Sequence, residues 1–302
     1  MDERACERAD ATVTAEGPVV EAVVVSYNVR DLLLRCVASL RADGVERIVV
    51  VDNASSDGSA DAVRDVPGVE VLDLPRNVGF GAGVNRGVAR TRSPYVAIVN
   101  PDEVVQPGCT AALVVALERD PGLALVGPRL LTADGRTYPS ARTFPDLVVA
   151  AGHAFGYLVW PDNPFSRRYR MADWDHATSR EVDWLAGTHL LARRQAWDEV
   201  GGFDEAYFMY MEDVDLCWRL HRAGWRVAYE PAGEAVHEIG RSTDQRPYRM
   251  IAAHHRSLVR YAVRTTTGSQ RLLLPLIVAS LGLRVVLAWL HRLSRRRPHA
   301  AL

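Results

Sequence analysis

At 302 residues with 48% hydrophobic side chains, the chain has the composition of an ordinary globular protein and enough length for one full core. All 36 basic residues are arginine, which excludes a phosphate-loop lysine, a Schiff-base lysine and a kinase-type lysine. The net charge of -1 hides an asymmetry: residues 241–302 hold twelve arginines and one acid, Asp244, so this segment is strongly basic and the remainder acidic.

The first ten residues are polar and charged and carry no signal-peptide pattern; residues 1–19 read as a disordered tail. From Glu21 to Gly127, β-rich runs alternate with helical patterns. Ala22–Ser26, Arg47–Asp52, Val69–Leu74 and Tyr95–Asn100 are predicted strands, and segments near 30–42, 58–65, 82–92 and 108–119 the helices between them. Short apolar strands alternating with helices predict a Rossmann-like, mostly parallel sheet flanked by helices. Ligands of such sheets bind beyond the carboxyl ends of the strands, here Ser26-Tyr27-Asn28, Asp52-Asn53 and Asn100-Pro101-Asp102.

Beyond Gly127 the pattern changes. Arg129–Tyr138 predicts a hairpin around Asp134-Gly135. Residues 144–180 are rich in aromatic residues, Pro and Arg, and read as a lid or an acceptor-facing insertion. Val182–Leu185 and Leu190–Ala192 are predicted strands around Gly187, followed by a helix over 211–223 and two short strands, Arg226–Tyr229 and Ala235–His237. Two helices, 245–266 and 271–296, close the chain as a basic arm after a domain over 20–244, whose halves divide near residue 127. Cys6, Cys36, Cys109 and Cys217 have no metal or redox spacing and predict reduced thiols in the cytoplasm.

Chemistry concentrates in the 211–223 helix. Glu212, Asp213 and Asp215 open it among Phe208, Met209, Tyr210, Met211, Leu216 and Trp218. Desolvation raises a carboxylate's pKa into the range of a general base, whereas acids at a helix start also serve as plain caps, so both readings stand. Asp52-Asn53-Ala-Ser-Ser-Asp57-Gly58 can present a carboxylate to the imide N–H of a pyrimidine, or form an Asx turn. Asn77-Val-Gly79-Phe-Gly81-Ala-Gly83-Val-Asn85 is not a dinucleotide fingerprint, because the third glycine would fall at Val84. Its glycines let backbone approach a nucleotide sugar, or serve helix packing. Asp102 at a strand tip suits a hard divalent cation, with Glu103 as a substitute or a simple turn as the other reading. His237, near Arg241, Ser242 and Thr243, suits diphosphate or metal contact.

As an ordered set, Ser26-Tyr-Asn, Asp52-Asn-x-Ser-x-Asp-Gly58, Asn77-x-Gly-Phe-Gly, Asn100-Pro-Asp, Gly187 and Glu212-Asp-Val-Asp resembles the inverting family 2 glycosyltransferases of GT-A fold, over about residues 20–245. Tyr138-Pro-Ser-Ala-Arg142, Trp160-Pro-x-Asn-Pro164 and Ala252-Ala-His-His-Arg256 narrow the resemblance to the actinobacterial cell-wall rhamnosyltransferases. That resemblance implies transfer of L-rhamnose from dTDP-L-rhamnose to N-acetylglucosaminyl-diphospho-polyprenol, for the arabinogalactan linker. Carried over by position, it implies Asp213 as base with Glu212 beside it. Asp52 would read thymine, with Ser26, Tyr27, Asn28, Asn53, Asn77, Gly79, Gly81, Asn85, Asn100 and Arg241 around the nucleotide sugar. Trp184, Gly187 and Thr188 would meet the acceptor, and Asp102 with His237 would hold Mg2+ or Mn2+. The family's metal motif commonly has two carboxylates, and here the first is Asn100, which implies a metal arriving with the nucleotide sugar.

In the C-terminal arm, Leu272–Leu283 is apolar apart from Ser280, and Pro275 and Arg284 interrupt it as a membrane span. Arg284, Arg292 and Arg295 share one side at helical spacing, predicting a helix in the inner face of the cytoplasmic membrane. A core-packing helix or a homodimer contact is the other reading. The long aliphatic run of the arm has no interleaved stacking pattern, so the arm predicts no nucleic-acid partner.

Overall fold

The computed structural model describes residues 20–144, 149, 152–153, 156, 160, 162–238 and 247–295. The first half alternates strands and helices: β1 (Val20–Ser26), α1 (Arg30–Ala42), β2 (Arg47–Asp52), α2 (Ser59–Arg64), β3 (Val69–Asp73), α3 (Phe80–Val88), β4 (Tyr95–Val99), β5 (Glu103–Val105) and α4 (Cys109–Arg119). β1 and β4 are buried along their whole length. Because successive side chains point to opposite faces, Val23, Val25, Val49, Val51 and Ile98 pack with Val84 and Val88 of α3. Ala22, Val24, Ile48, Val50 and Val99 meet Leu33, Val37 and Leu40 of α1 on the other face. A sheet covered on both faces needs such continuous apolar runs rather than alternation.

The second half contains β6 (Leu123–Thr132), β7 (Ala141–Arg142), α5 (Pro164–Tyr169), β8 (Arg180–Glu181), β9 (Trp184–Leu185), β10 (His189–Arg193), α6 (Arg194–Val200), α7 (Glu212–Arg222), β11 (Arg226–His237), α8 (Pro247–Thr265) and α9 (Leu274–Arg295). The main sheet has the order β3-β2-β1-β4-β10-β6-β11-β5, and β7 pairs with β9 in a small second sheet. β1 is parallel to β2 and β4, whereas β10 runs antiparallel between β4 and β6. Ser26 lies beside Asp52 in register, so the tips of β1 and β2 share one edge with Asn100, which follows β4.

Three expectations change. β11 is one strand rather than two, with an irregularity between Glu230 and Glu234 that lets it keep pairing with β6. The turn at Asp134-Gly135 is present, with Thr132 N–H donating to the Arg136 carbonyl at 2.8 Å, but its return arm makes only a single bridge, Leu131 to Thr137. Pro275 does not interrupt the last helix. It sits in the first turn of α9, where its missing N–H is not needed.

α8 is fastened to the second half of the fold. Tyr261 is buried in the core, and Ser257 Oγ donates to the Met209 carbonyl at 3.0 Å. Arg260 and Arg264 bond Asp204 at 2.8 and 2.6 Å, and Arg264 Nε reaches Asp215 at 3.2 Å.

Candidate active site

Two segments far apart in sequence meet above the edge of β1 and β4. The first begins at Asn53, whose side chain accepts from Val78 N–H at 2.8 Å and donates to the Gly79 carbonyl at 3.0 Å. This fixes the entry to α3. Gly79 has φ +94, and a Cβ there would lie 2.2 Å from the Phe208 carbonyl oxygen. Phe80 N–H donates to that same carbonyl at 3.0 Å, so only glycine permits the approach.

The second segment is 203–211. Phe203 packs edge-on against Trp197 with ring centroids 5.1 Å apart, and the Asn85 amide brackets its backbone, accepting at 3.0 Å and donating at 2.8 Å. Tyr210 and Met211 then adopt left-handed backbone at φ 67 and 69, which costs free energy for residues with a Cβ. The turn swings the start of α7 so that Glu212 and Asp213 both line a cavity of about 720 Å³.

The two acids differ. Glu212 is 5% exposed and its Oε2 has no partner. Burial, then the charge of Asp213, pushes its carboxyl well above the usual range, which favours its neutral form. Asp213 is also raised by burial, but the N–H groups of Gly187 (3.0 Å) and Val214 (2.9 Å) and the charge of Arg142 oppose the shift. Of the two carboxyls, Asp213 is the one whose charged form the surroundings support. Asp215, two residues on, points away: it is fully buried against Arg219 Nε at 2.7 Å and Arg264. It joins α7 to α8 rather than facing the cavity.

Tyr27, Asn77, Asn100, Asp102 and His237 also line the cavity. His237 Nε2 is 3.3 Å from Asp102 Oδ1. Burial disfavours the charged imidazole, yet the hydrogen bond to Asp102 and the charges of Glu103 and Asp102 outweigh it, and the His237 pKa is raised. Among the described residues no three His, Cys, Asp or Glu side chains converge as a metal site. Asp102, His237 and the Asn100 amide instead suit a cation whose remaining ligands are diphosphate oxygens. Glu103 is no substitute for Asp102, since it is fully buried and pairs with His189 Nδ1 at 3.0 Å.

The same cavity is lined by Trp184, Gly187, Thr188, Tyr169 and Arg142, with Arg249, Met250 and His254 of α8, and the Thr188 carbonyl accepts from Asn100 N–H at 2.8 Å. Several predicted site residues lie outside this lining. Asn28 Oδ1 accepts from Ser56 N–H at 2.7 Å, holding the β1 and β2 tips together. A Cβ on Gly81 would meet Phe203 at 2.9 Å, and Asn85 is occupied by Phe203, so both build the loop beneath the site. Asp52 accepts from Ser55 N–H at 2.8 Å, while its Oδ1 and the Ser26 hydroxyl are buried without partners. Arg241 lies outside the described residues. Tyr138, Arg142 and His254 fall in motifs that carry the narrower resemblance but had no role assigned to them, and Tyr169 and Arg249 carried no sequence signal.

Residues 21–195 match the family model "Glycosyl transferase family 2". The chain is a family 2 glycosyltransferase. It is 40% identical over 254 residues to the N-acetylglucosaminyl-diphospho-decaprenol L-rhamnosyltransferase of Mycobacterium tuberculosis, covering 79% of this chain and 82% of that one. It is 27% identical over 266 residues to the rhamnosyltransferase WbbL of Escherichia coli K12, covering 84% and 96%. A mannosyltransferase from Pyrobaculum calidifontis, solved with GDP-Man and Mn2+, superposes with a TM-score of 0.58 at 16% identity, over 91% of this chain and 76% of that one. The glycosyltransferase has the GT-A fold, as its motifs predict. The family match ends before α7, so the acids of this transferase lie beyond it.

Proposed function

We propose that this glycosyltransferase transfers L-rhamnose, with inversion, from dTDP-L-rhamnose to N-acetylglucosaminyl-diphospho-polyprenol, in assembly of the cell-wall arabinogalactan linker. The observation that carries the chemistry is Asp213, held by two backbone N–H groups and lining one cavity with Asp102, His237 and Trp184. The likeness to the mycobacterial enzyme supports the choice of substrates.

The acceptor hydroxyl attacks the anomeric carbon as Asp213 takes its proton, and the bond to the nucleoside diphosphate breaks on the opposite face. Glu212, in the neutral form its surroundings favour, keeps a second negative charge away from the attacking oxygen. Asp52 Oδ1, buried and unpartnered, is the acceptor available to the thymine imide. Asp102 and His237, with Asn100 beside them, would hold Mg2+ or Mn2+ against the diphosphate, and such an ion stabilises the departing charge. Placing two sugars in one cavity supplies a further large part of the rate.

The lipid acceptor fits the outer surface of α9. Leu276, Leu283 and Val286 are 68%, 55% and 51% exposed. The segment Gly268–Leu287 has a mean hydropathy of 1.7 and the length to cross a membrane. Seated in the inner face of the cytoplasmic membrane, this face buries apolar surface while the arginines that follow meet anionic head groups.

Incubation with a panel of nucleotide sugars and a polyprenyl-diphospho-GlcNAc acceptor tests the reading. Rhamnose transfer from dTDP-L-rhamnose, giving an α-linked product, is expected. Consumption of a different nucleotide sugar in preference would refute the donor assignment.

A further inference from the structure

Three arginines stand at or near the α8 side of the cavity, and among the described residues none of them forms an ion pair; the carboxylate whose charge Arg142 feels is Asp213, in the same cavity. Arg142 is half-buried, stacked on Trp184 and Tyr169 with its guanidinium carbon 5.0 and 5.5 Å from their ring centroids. Its hydrogen bonds go only to neutral atoms, the Pro139 carbonyl at 3.0 Å and the Tyr138 hydroxyl at 3.4 Å. Arg249 of α8 lines the same cavity, is exposed, and makes no ion pair among the described residues. Arg284 of α9 is half-buried and also makes none. By contrast, Arg260 and Arg264, on the same helix as Arg249, are both matched by Asp204.

Aromatic and imidazole rings lie near these arginines. Tyr169 lies on His153 with ring centroids 4.7 Å apart, and His254 packs on Tyr210 at 5.0 Å. His153 is pushed down to about 4 by burial and then by Arg170, Arg284 and Arg142, so two of the three charges reach one imidazole. His254 is pushed down to about 3 by burial, His255, Arg284 and His153. A half-buried guanidinium without an ion pair is costly, and several beside one cavity make a site for a polyanion.

We infer that Arg142, Arg249 and Arg284 form a subsite for the diphosphate of the lipid-linked acceptor, distinct from the Asp102 group that takes the nucleotide. The inference rests on the acceptor class proposed above. Arg142 and Asp213 line the same cavity, so a sugar presenting its hydroxyl to Asp213 can lay its anomeric phosphate towards Arg142. The diphosphate then runs along Tyr169 and His153 to α8, and the lipid leaves over the apolar face of α9.

The test compares GlcNAc-diphospho-polyprenol of short chain with an uncharged decyl N-acetylglucosaminide as acceptors. Arg249→Gln and Arg142→Gln should each lower the charged-to-uncharged ratio of kcat/KM about 10- to 100-fold, through KM. Arg142→Lys should restore part of it, because charge without the planar fork remains. Arg249 is exposed, so its variant separates lost charge from lost packing. An unchanged ratio overturns the subsite. So does a loss that appears instead as weaker dTDP binding, since the arginines would then serve the donor. Titration calorimetry with the charged compound reads the subsite without turnover. Wild-type binding lost in Arg249→Gln supports it even if that compound is not the acceptor, whereas no wild-type binding overturns it.

Discussion

Replacing Asp213 by asparagine separates its chemical role from its structural one. The carboxylate accepts one N–H on each oxygen, from Gly187 and Val214. Asparagine keeps one acceptor oxygen, so one of these N–H groups faces an amide nitrogen and loses its bond, at about 1–3 kcal/mol. For a chain of this size about 2–4 °C accompanies each kcal/mol, so Tm should fall by about 2–12 °C and the fold should survive. Loss of the base costs more, about 10²–10⁴-fold in rate. Differential scanning fluorimetry, dTDP calorimetry and radiolabelled sugar transfer on one preparation give all three quantities. Turnover within a few-fold of wild type, with the fold intact, would remove Asp213 from proton transfer.

Asp215→Asn should show the opposite balance: it leaves Arg219 without its buried partner at about 3–5 kcal/mol, lowering Tm by about 6–20 °C, and an unchanged melting curve would contradict that placement. Asp102→Ala should weaken dTDP binding about 10- to 100-fold in Mg2+ but leave it unchanged in EDTA, as titration calorimetry can show; equal losses in both would mean that Asp102 holds no metal. Replacing Leu276, Leu283 and Val286 together by asparagine should weaken binding to anionic vesicles by about 100-fold or more without changing Tm. Full co-sedimentation of that triple variant at low salt would take α9 out of membrane contact.

The strands were legible because β1, β2 and β4 are covered on both faces, which leaves short continuous apolar runs that end in polar residues. Asp213 was legible for a related reason, as an acid among large apolar groups. The glycine run was legible as close approach, but not as approach to what. Gly79 and Gly81 admit Phe208 and Phe203, partners more than a hundred residues away. Arg284 was placed by helical spacing on the outer side with Arg292 and Arg295, yet it turns inward. Its neighbours His153 and His254 belong to other elements, and periodicity along one helix does not reveal them. Arg142 was visible as the last residue of Tyr138-Pro-Ser-Ala-Arg142, but its place in the cavity depends on contacts that the motif does not reveal.

The pairing of Asp204 and Asp215 with Arg260 and Arg264 constrains how this enzyme can be recombined. The C-terminal helices resemble a detachable module, suited to grafting onto a relative that serves a different membrane or lipid carrier. A graft joined at residue 244 would carry the two arginines away from the two acids, leaving Asp215 short of one partner and Asp204 of both. The transplanted pair would bring cations into a host with no matching acids. The exchangeable unit therefore begins before Asp204, and it takes the catalytic helix with it.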